Sequence, residues 1–275
     1  MQALIVQASA RRRLALTALF IGATWLAAPA AYAEQNAHKT HHARPAVVQP
    51  TSGNYVSVKE IPALPAPPSA KSHAARADIK QIIGIQTYAA PEETAAARDE
   101  QNLRPEHLVG VIDITVSQAE LPLTFALLER VGTDVGVVTR AAKKRWHTVR
   151  PYRLDRRIKL LVDPLPADDY GYPSGHTSIS YVWARILAEL DPAAATLLLL
   201  QADRIAGHRV LAGVHTAHDI AGGKKLGTAI FAVLKDKPAF QADLAAARAE
   251  FDARRAATAP SGRKNWKSFK SRITE

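Results

Sequence analysis

The chain contains no cysteine. That absence removes disulfides, thiolate nucleophiles and cysteine metal ligands together, so its chemistry has to come from His, Asp, Glu, Lys, Arg and Ser. Beyond residue 33 no stretch approaches the roughly 18 uninterrupted apolar residues that cross a bilayer, which predicts no stable membrane insertion once an N-terminal leader is gone. Internal repeats are missing, as are period-two strands of useful length and Pro- or Gly-rich linkers inside the central region. A repeat array and a sheet-built domain are therefore not expected.

What is present fits one ordinary domain: 275 residues, 47% of them hydrophobic, suffice for a single full core. Residues 1–33 stand apart. Arg11-Arg12-Arg13 precedes an apolar run from Leu14 to about Ala28, and Ala31-Tyr32-Ala33 follows. This is the layout of a signal peptide cut near Ala33, and it predicts a periplasmic or secreted protein. An uncleaved anchor is the weaker reading, because the run is short and interrupted by Thr17 and Gly22. The formal charge is +11, of which the three arginines of residues 1–33 supply three, leaving +8 for the mature chain. Such a balance suits phosphate esters, and equally a nucleic acid or an anionic envelope surface.

From Glu34 to about residue 75 the chain is rich in Pro and Ala, with Pro62, Pro65, Pro67 and Pro68 crowded together, which predicts an extended segment. His38, His41 and His42 have no second cluster with which to complete a metal site. Helical spacing predicts a helix through Ile79, Ile82 and Ile83, another over 106–118, and a third after Pro122. Asp134 is read as the N-cap of a further helix running to Trp146. Later helices are expected over 177–190, from Asp191-Pro192 to about Ala206, from Asp219 to Leu234, and from Pro238 to about Ala256. The expected fold is all-α, a single-domain helical bundle. Its organisation is a signal peptide (1–33), an extended segment (34–75), a helical domain (76–257) and a basic tail (258–275) containing Trp266 and Phe269.

Chemistry concentrates between residues 143 and 219. Gly171-Tyr172-Pro173-Ser174-Gly175-His176 forms a turn into a helix, where Ser174 and Gly175 can offer donors to an oxyanion and His176 a proton near neutral pH. His215 is followed four residues later by Asp219. On a helix that spacing puts both side chains on one face, so the carboxylate can hold one ring nitrogen and free the other to attack. An isolated His-x-x-x-Asp is more often a capping or merely packed histidine. Lys143, Arg150 and Arg209 supply the positive charge that a phosphoryl group in transit requires. His147 and His218 are read as surface positions beside the motifs.

Taken together, the order Lys143, Arg150-Pro151, Pro173-Ser174-Gly175-His176, His208-Arg209, His215 and Asp219 resembles the three-part signature of the type 2 phosphatidic acid phosphatase superfamily, and within it the bacterial class A non-specific acid phosphatases. The resemblance implies an all-helical acid phosphatase acting on small phosphate monoesters without metal or cofactor. It implies His215 as nucleophile, Asp219 as its orienting partner and His176 as general acid and base. Lys143, Arg150, Ser174, Gly175 and Arg209 would bind phosphate. It also implies a homodimer or higher homo-oligomer. The third part of the family pattern reads Ser-Arg where this chain has His208-Arg209, so His208 either replaces the lost hydroxyl as a further phosphate donor or is functionally silent.

Competing readings keep the same residues. A lipid phosphate or diphosphate phosphatase of the same superfamily would share the site, and a vanadium haloperoxidase would share the oxyanion pocket. A non-enzymatic basic envelope- or nucleic-acid-binding protein would use the charge alone; the complete constellation argues against nucleic acid as the partner. A metal site at His215, His218 and Asp219 lacks a distant fourth ligand.

Overall fold

Proline and short polar caps open most of the helices in the computed structural model, which describes residues 54–258; these all fall within one compact unit. The expected signal peptide, the histidines at 38, 41 and 42, the first part of the extended segment and the tail from 259 onward lie outside the described residues. In chain order the helices are α1 (His73–Tyr88), α2 (Pro91–Asp99), α3 (Glu106–Val109), α4 (Pro122–Trp146), α5 (Pro151–Leu154), α6 (Gly175–Leu190), α7 (Ala195–Leu211), α8 (Ala217–Lys235) and α9 (Pro238–Thr258). Among the described residues there is no strand. The all-helical expectation holds.

Two local expectations do not. The helix expected over 106–118 stops at Val109, after four residues. Gly110 and the β-branched run Val111-Ile112 and Ile114-Thr115-Val116 disfavour continuation. Asp134 does not start a helix either: α4 runs unbroken for 25 residues with Asp134 buried in its middle. Its carboxylate instead accepts the amides of Tyr55 (2.8 Å) and Val56 (3.3 Å), supplying partners that the extended N-terminal segment lacks. The same segment reaches the turn before α6, where the Tyr172 hydroxyl donates to the Pro65 carbonyl at 2.7 Å.

At the centre stands α6, packed against α4, α7 and α8. Val182, Ile186 and Leu187 are wholly buried, and they meet Phe125, Leu128 and Val131 of α4, Leu198 and Ile205 of α7, and Ile230 and Leu234 of α8 in one core. Truncating any of these to alanine costs about 2–5 kcal/mol. Helix α8 comes so close to α6 that a Cβ at Gly223 would lie 2.7 Å from the Ser174 carbonyl oxygen, and one at Gly227 would lie 2.8 Å from that of Ser178. That approach carries α8, and the residues just before it, to the mouth of α6.

Candidate active site

Three sequence motifs, spread over the 77 residues from Lys143 to Asp219, are stitched together by their backbones. Helix α4 ends at Trp146, and the left-handed backbone of its capping residue His147 (φ 48°) turns the chain toward Arg150. Thr148 in that connection holds the turn before α6, its carbonyl accepting from Gly171 (2.8 Å) and its hydroxyl from the Tyr172 amide (2.6 Å). The Ser174 amide donates to the Asp219 carbonyl at 3.0 Å, which ties the same turn to α8. Ser174 then caps α6, so the first amides of that helix have no intrahelical acceptor and face outward with the positive end of its dipole.

These elements enclose a cavity of about 220 Å³ lined by Lys143, Arg150, Gly175, His176, Arg209 and His215. It is smaller than the pockets that take drug-sized ligands and suits a small polar group. Six of the residues expected from sequence therefore converge here. Two more support them from behind: Ser174 is wholly buried under the α6 cap, and Asp219 sits behind His215.

The relation between His215 and Asp219 differs from expectation in a telling way. His215 precedes Thr216, the N-cap of α8, and is not on the helix at all. Asp219 is the third residue of a capping box: its amide donates to the Thr216 hydroxyl (3.1 Å) and its carboxylate accepts the Thr216 amide (2.9 Å). The same carboxylate oxygen lies 3.3 Å from His215 Nδ1. Helix capping and ring orientation are thus one arrangement. On the other side, Arg150 Nη1 lies 3.1 Å from His215 Nε2. An arginine can only donate, so Nε2 accepts, and the ring carries its proton on Nδ1 toward Asp219. The nitrogen facing the cations is the unprotonated one, its lone pair turned to Arg150.

Charge sets the protonation states. His215 is held well below the usual imidazole range by burial, and then by Arg150 and Lys143. His176 is pushed down to about 3 by burial and by Arg209, although the Gln101 and Glu100 carbonyls oppose this. Burial raises Asp219 to about 6 against the pull of the Thr216 amide and Arg150. Lys143 falls to about 8, through burial and the nearness of Arg150. Arg209 Nε and Thr139 Oγ1 are buried with no hydrogen-bond partner among the described residues, and both residues line the cavity. Unsatisfied donors in a cationic cavity fit an oxyanion.

Sequence reasoning missed Asp169. Its carboxylate lies 2.8 Å from Arg150 Nη2 and 3.2 Å from Lys143 Nζ, inside the cavity lining. No motif marks it; it is one of two consecutive aspartates ahead of the turn. His208, by contrast, is not a phosphate donor. It is absent from the lining, and both ring nitrogens face carboxylates, Nδ1 at Glu100 (2.8 Å) and Nε2 at Glu93 (2.6 Å). His147 stacks edge-on against Tyr170, and His218 pairs with Asp78 at 2.5 Å, so neither enters the cavity. Among the described residues no group of His, Asp and Glu is arranged to hold a metal ion.

Comparison with known proteins agrees with this chemistry. Residues 123–240 match the PAP2 superfamily, a span that contains every motif residue of the site. A non-specific acid phosphatase of Salmonella typhimurium is 29% identical over 217 residues, covering 74% of this chain and 85% of that one. An acid phosphatase of Zymomonas mobilis is 32% identical over 137 residues, 49% of this chain and 52% of its own length. Among solved structures, the first transmembrane PAP2 type phosphatidylglycerolphosphate phosphatase from Bacillus subtilis aligns at a TM-score of 0.41 with 19% identity, covering 61% of this chain and 87% of that one.

Proposed function

We propose that this chain belongs to the PAP2 superfamily and is an exported acid phosphatase which hydrolyses small phosphate monoesters through a phosphohistidine. The observation that carries the reading is His215, with Nδ1 on Asp219 and Nε2 turned to Arg150 in a cationic cavity. In the first step the Nε2 lone pair attacks phosphorus, an N–P bond forms and the ester P–O bond breaks. Lys143, Arg150 and Arg209, with the first amides of α6, take the charge on the phosphoryl oxygens. His176 gives its proton to the departing alkoxide. In the second step water attacks phosphorus, the N–P bond breaks, and His176 takes back a proton from the water.

His176 Nε2 is occupied by the carbonyls of Glu100 (3.0 Å) and Gln101 (3.1 Å), so Nδ1 is the nitrogen through which the proton moves. Its low affinity for a proton among cations is the reason substrate matters: a phosphate dianion reverses the local field and makes the ring an acid. Export rests on the layout of residues 1–33, and no helix among the described residues is long and apolar enough to cross a membrane.

The test is direct. His215→Ala should abolish phosphate release from a chromogenic monoester, with or without EDTA, while the variant stays folded; sustained turnover would sink the mechanism. His176→Ala should slow alkyl phosphates far more than p-nitrophenyl phosphate, whose leaving group scarcely needs a proton. Assaying a micellar lipid phosphate alongside decides between soluble and lipid esters.

A further inference from the structure

We infer that His208, clamped between Glu93 and Glu100, is a positioning residue that fixes the C-terminal end of α2, the element whose carbonyls hold both His176 and Arg209. The inference rests on the phosphatase reading above. Helix α2 ends at Asp99, and carbonyls at a helix end lack intrahelical donors. Here side chains from the site supply them. The Ala97 carbonyl accepts from Arg209 Nη2, and those of Glu100 and Gln101 accept from His176 Nε2. One short stretch, 97–101, therefore orients the general acid and one of the phosphate-binding cations.

What holds that stretch is ionic. Glu100 is 4% exposed and His208 3%. Buried carboxylates require a partner, and His208 meets Glu100 and Glu93 with one nitrogen each. A ring facing two carboxylates donates from both nitrogens and is an imidazolium. Burial alone would lower its affinity for a proton, but Glu100 and Glu93 outweigh burial and raise it. Arg204, one turn earlier on α7, completes the cluster by bonding Glu93 at 3.1 Å. His208 immediately precedes Arg209, so the clamp and the active-site cation share one backbone. A serine at 208 could neither span two carboxylates nor carry charge.

Loss of the clamp should misplace His176 and loosen Arg209, while Lys143, Arg150 and His215 stay in place to bind phosphate. The deficit then falls on kcat more than on KM, and on poor leaving groups more than on good ones. A displacement of about 1 Å costs up to about 100-fold.

The decisive variants are His208→Ser and the pair His208→Ser with Glu100→Gln. The single change strands a buried carboxylate and lowers the melting temperature; the pair removes that charge and should recover it. If His208 positions the acid, the double variant melts close to wild type but keeps a roughly 10- to 100-fold lower kcat on an alkyl phosphate, with a smaller loss on p-nitrophenyl phosphate. Wild-type kcat on both esters at restored stability would overturn the inference.

Should the double variant not fold, Glu93→Gln serves, since Glu93 is partly exposed. It should lower alkyl phosphate turnover several-fold and spare p-nitrophenyl phosphate, and equal loss on both would overturn the idea. Ring ¹⁵N shifts of His176 read the same contact without turnover. An inactive wild type would defeat the phosphatase reading, whereas unchanged His176 shifts in these variants would defeat only the clamp.

Discussion

Asp169→Asn should tighten phosphate binding at acid pH, because the wild-type carboxylate occupies the cations an oxyanion needs. Burial raises Asp169, but Arg150 and Lys143 outweigh burial and hold its carboxyl below the usual range, so it is ionised wherever the enzyme is assayed. The substitution leaves the frame standing. Arg150 Nε still donates to the Asp169 backbone carbonyl at 3.0 Å, and Lys143 still donates to that of Tyr170. What disappears is two ion-pair contacts at 2.8 and 3.2 Å. Fully buried, these would amount to about 1.5–3 kcal/mol each, but the Asp169 side chain is one-third exposed, and solvent reduces the pair to about 1–2 kcal/mol in all. At 1.36 kcal/mol per decade that is about a tenfold gain in affinity.

A second effect opposes the first. Lys143 already titrates at about 8, and Asp169 is one of the groups keeping it charged. Removing that carboxylate lowers Lys143 further, so the gain should be full near about pH 5.5 and fade as pH rises toward neutrality and beyond. The assay is competitive inhibition by inorganic phosphate across that range, with melting temperature as the control for folding. An inhibition constant that is unchanged or weaker at acid pH, in a variant as stable as wild type, would refute the reasoning.

Other outcomes follow from the same geometry. Asp219→Asn must serve the Thr216 amide and His215 Nδ1 from the one position that Oδ2 now fills; an amide oxygen there keeps the cap and removes only the charge that holds the ring N–H, so kcat should fall, by up to about 10⁴-fold, with little change in melting temperature, as circular dichroism would show. Gly223→Ala drives a methyl against the Ser174 carbonyl and should cost about 1–3 kcal/mol in urea unfolding, with activity falling alongside because the same residue caps α6. His176 has a folded affinity for protons below its ordinary 6.5, so the stability it contributes is present above that value and is lost as pH falls toward about 3. His176→Asn should therefore lose less stability than wild type between about pH 6.5 and pH 4, and equal slopes in calorimetry would count against the burial argument.

The helices were legible where periodicity and caps agreed. Val182, Ile186 and Leu190 at helical spacing after Ser174, and Pro122 and Pro238 at helix starts, mark elements that the structure contains. Asp134 was misread because a polar residue in mid-helix looks like a cap when its real partners, the amides of Tyr55 and Val56, are 79 and 78 residues away. Six residues that line the cavity could be listed from the sequence, because the family resemblance names them. How they act together could not. That His215 lies before the helix and Asp219 returns to it through a capping box is invisible in the spacing, which is the same for both geometries. Asp169, Glu93 and Glu100 carry no motif at all, and their roles arise only from partners brought close by α2, α4 and α7.

One cationic frame imposes opposite demands on two histidines. Burial, then Arg150, Lys143 and Arg209, favours a neutral ring at His215, and burial, then Arg209 and Arg150, favours one at His176. A nucleophile needs that and a general acid does not. The site separates them through their second nitrogens. His215 directs its Nδ1 proton toward Asp219, which leaves the lone pair on the nitrogen that faces Arg150. His176 gives its own to backbone carbonyls, which are dipoles and cannot overcome the cations. The missing negative charge then has to come from outside, and a phosphate dianion is the group that brings it. In the proposed mechanism the acid is therefore assembled by the substrate it serves, and the His176 ring stays neutral until a phosphate ester has entered the cavity.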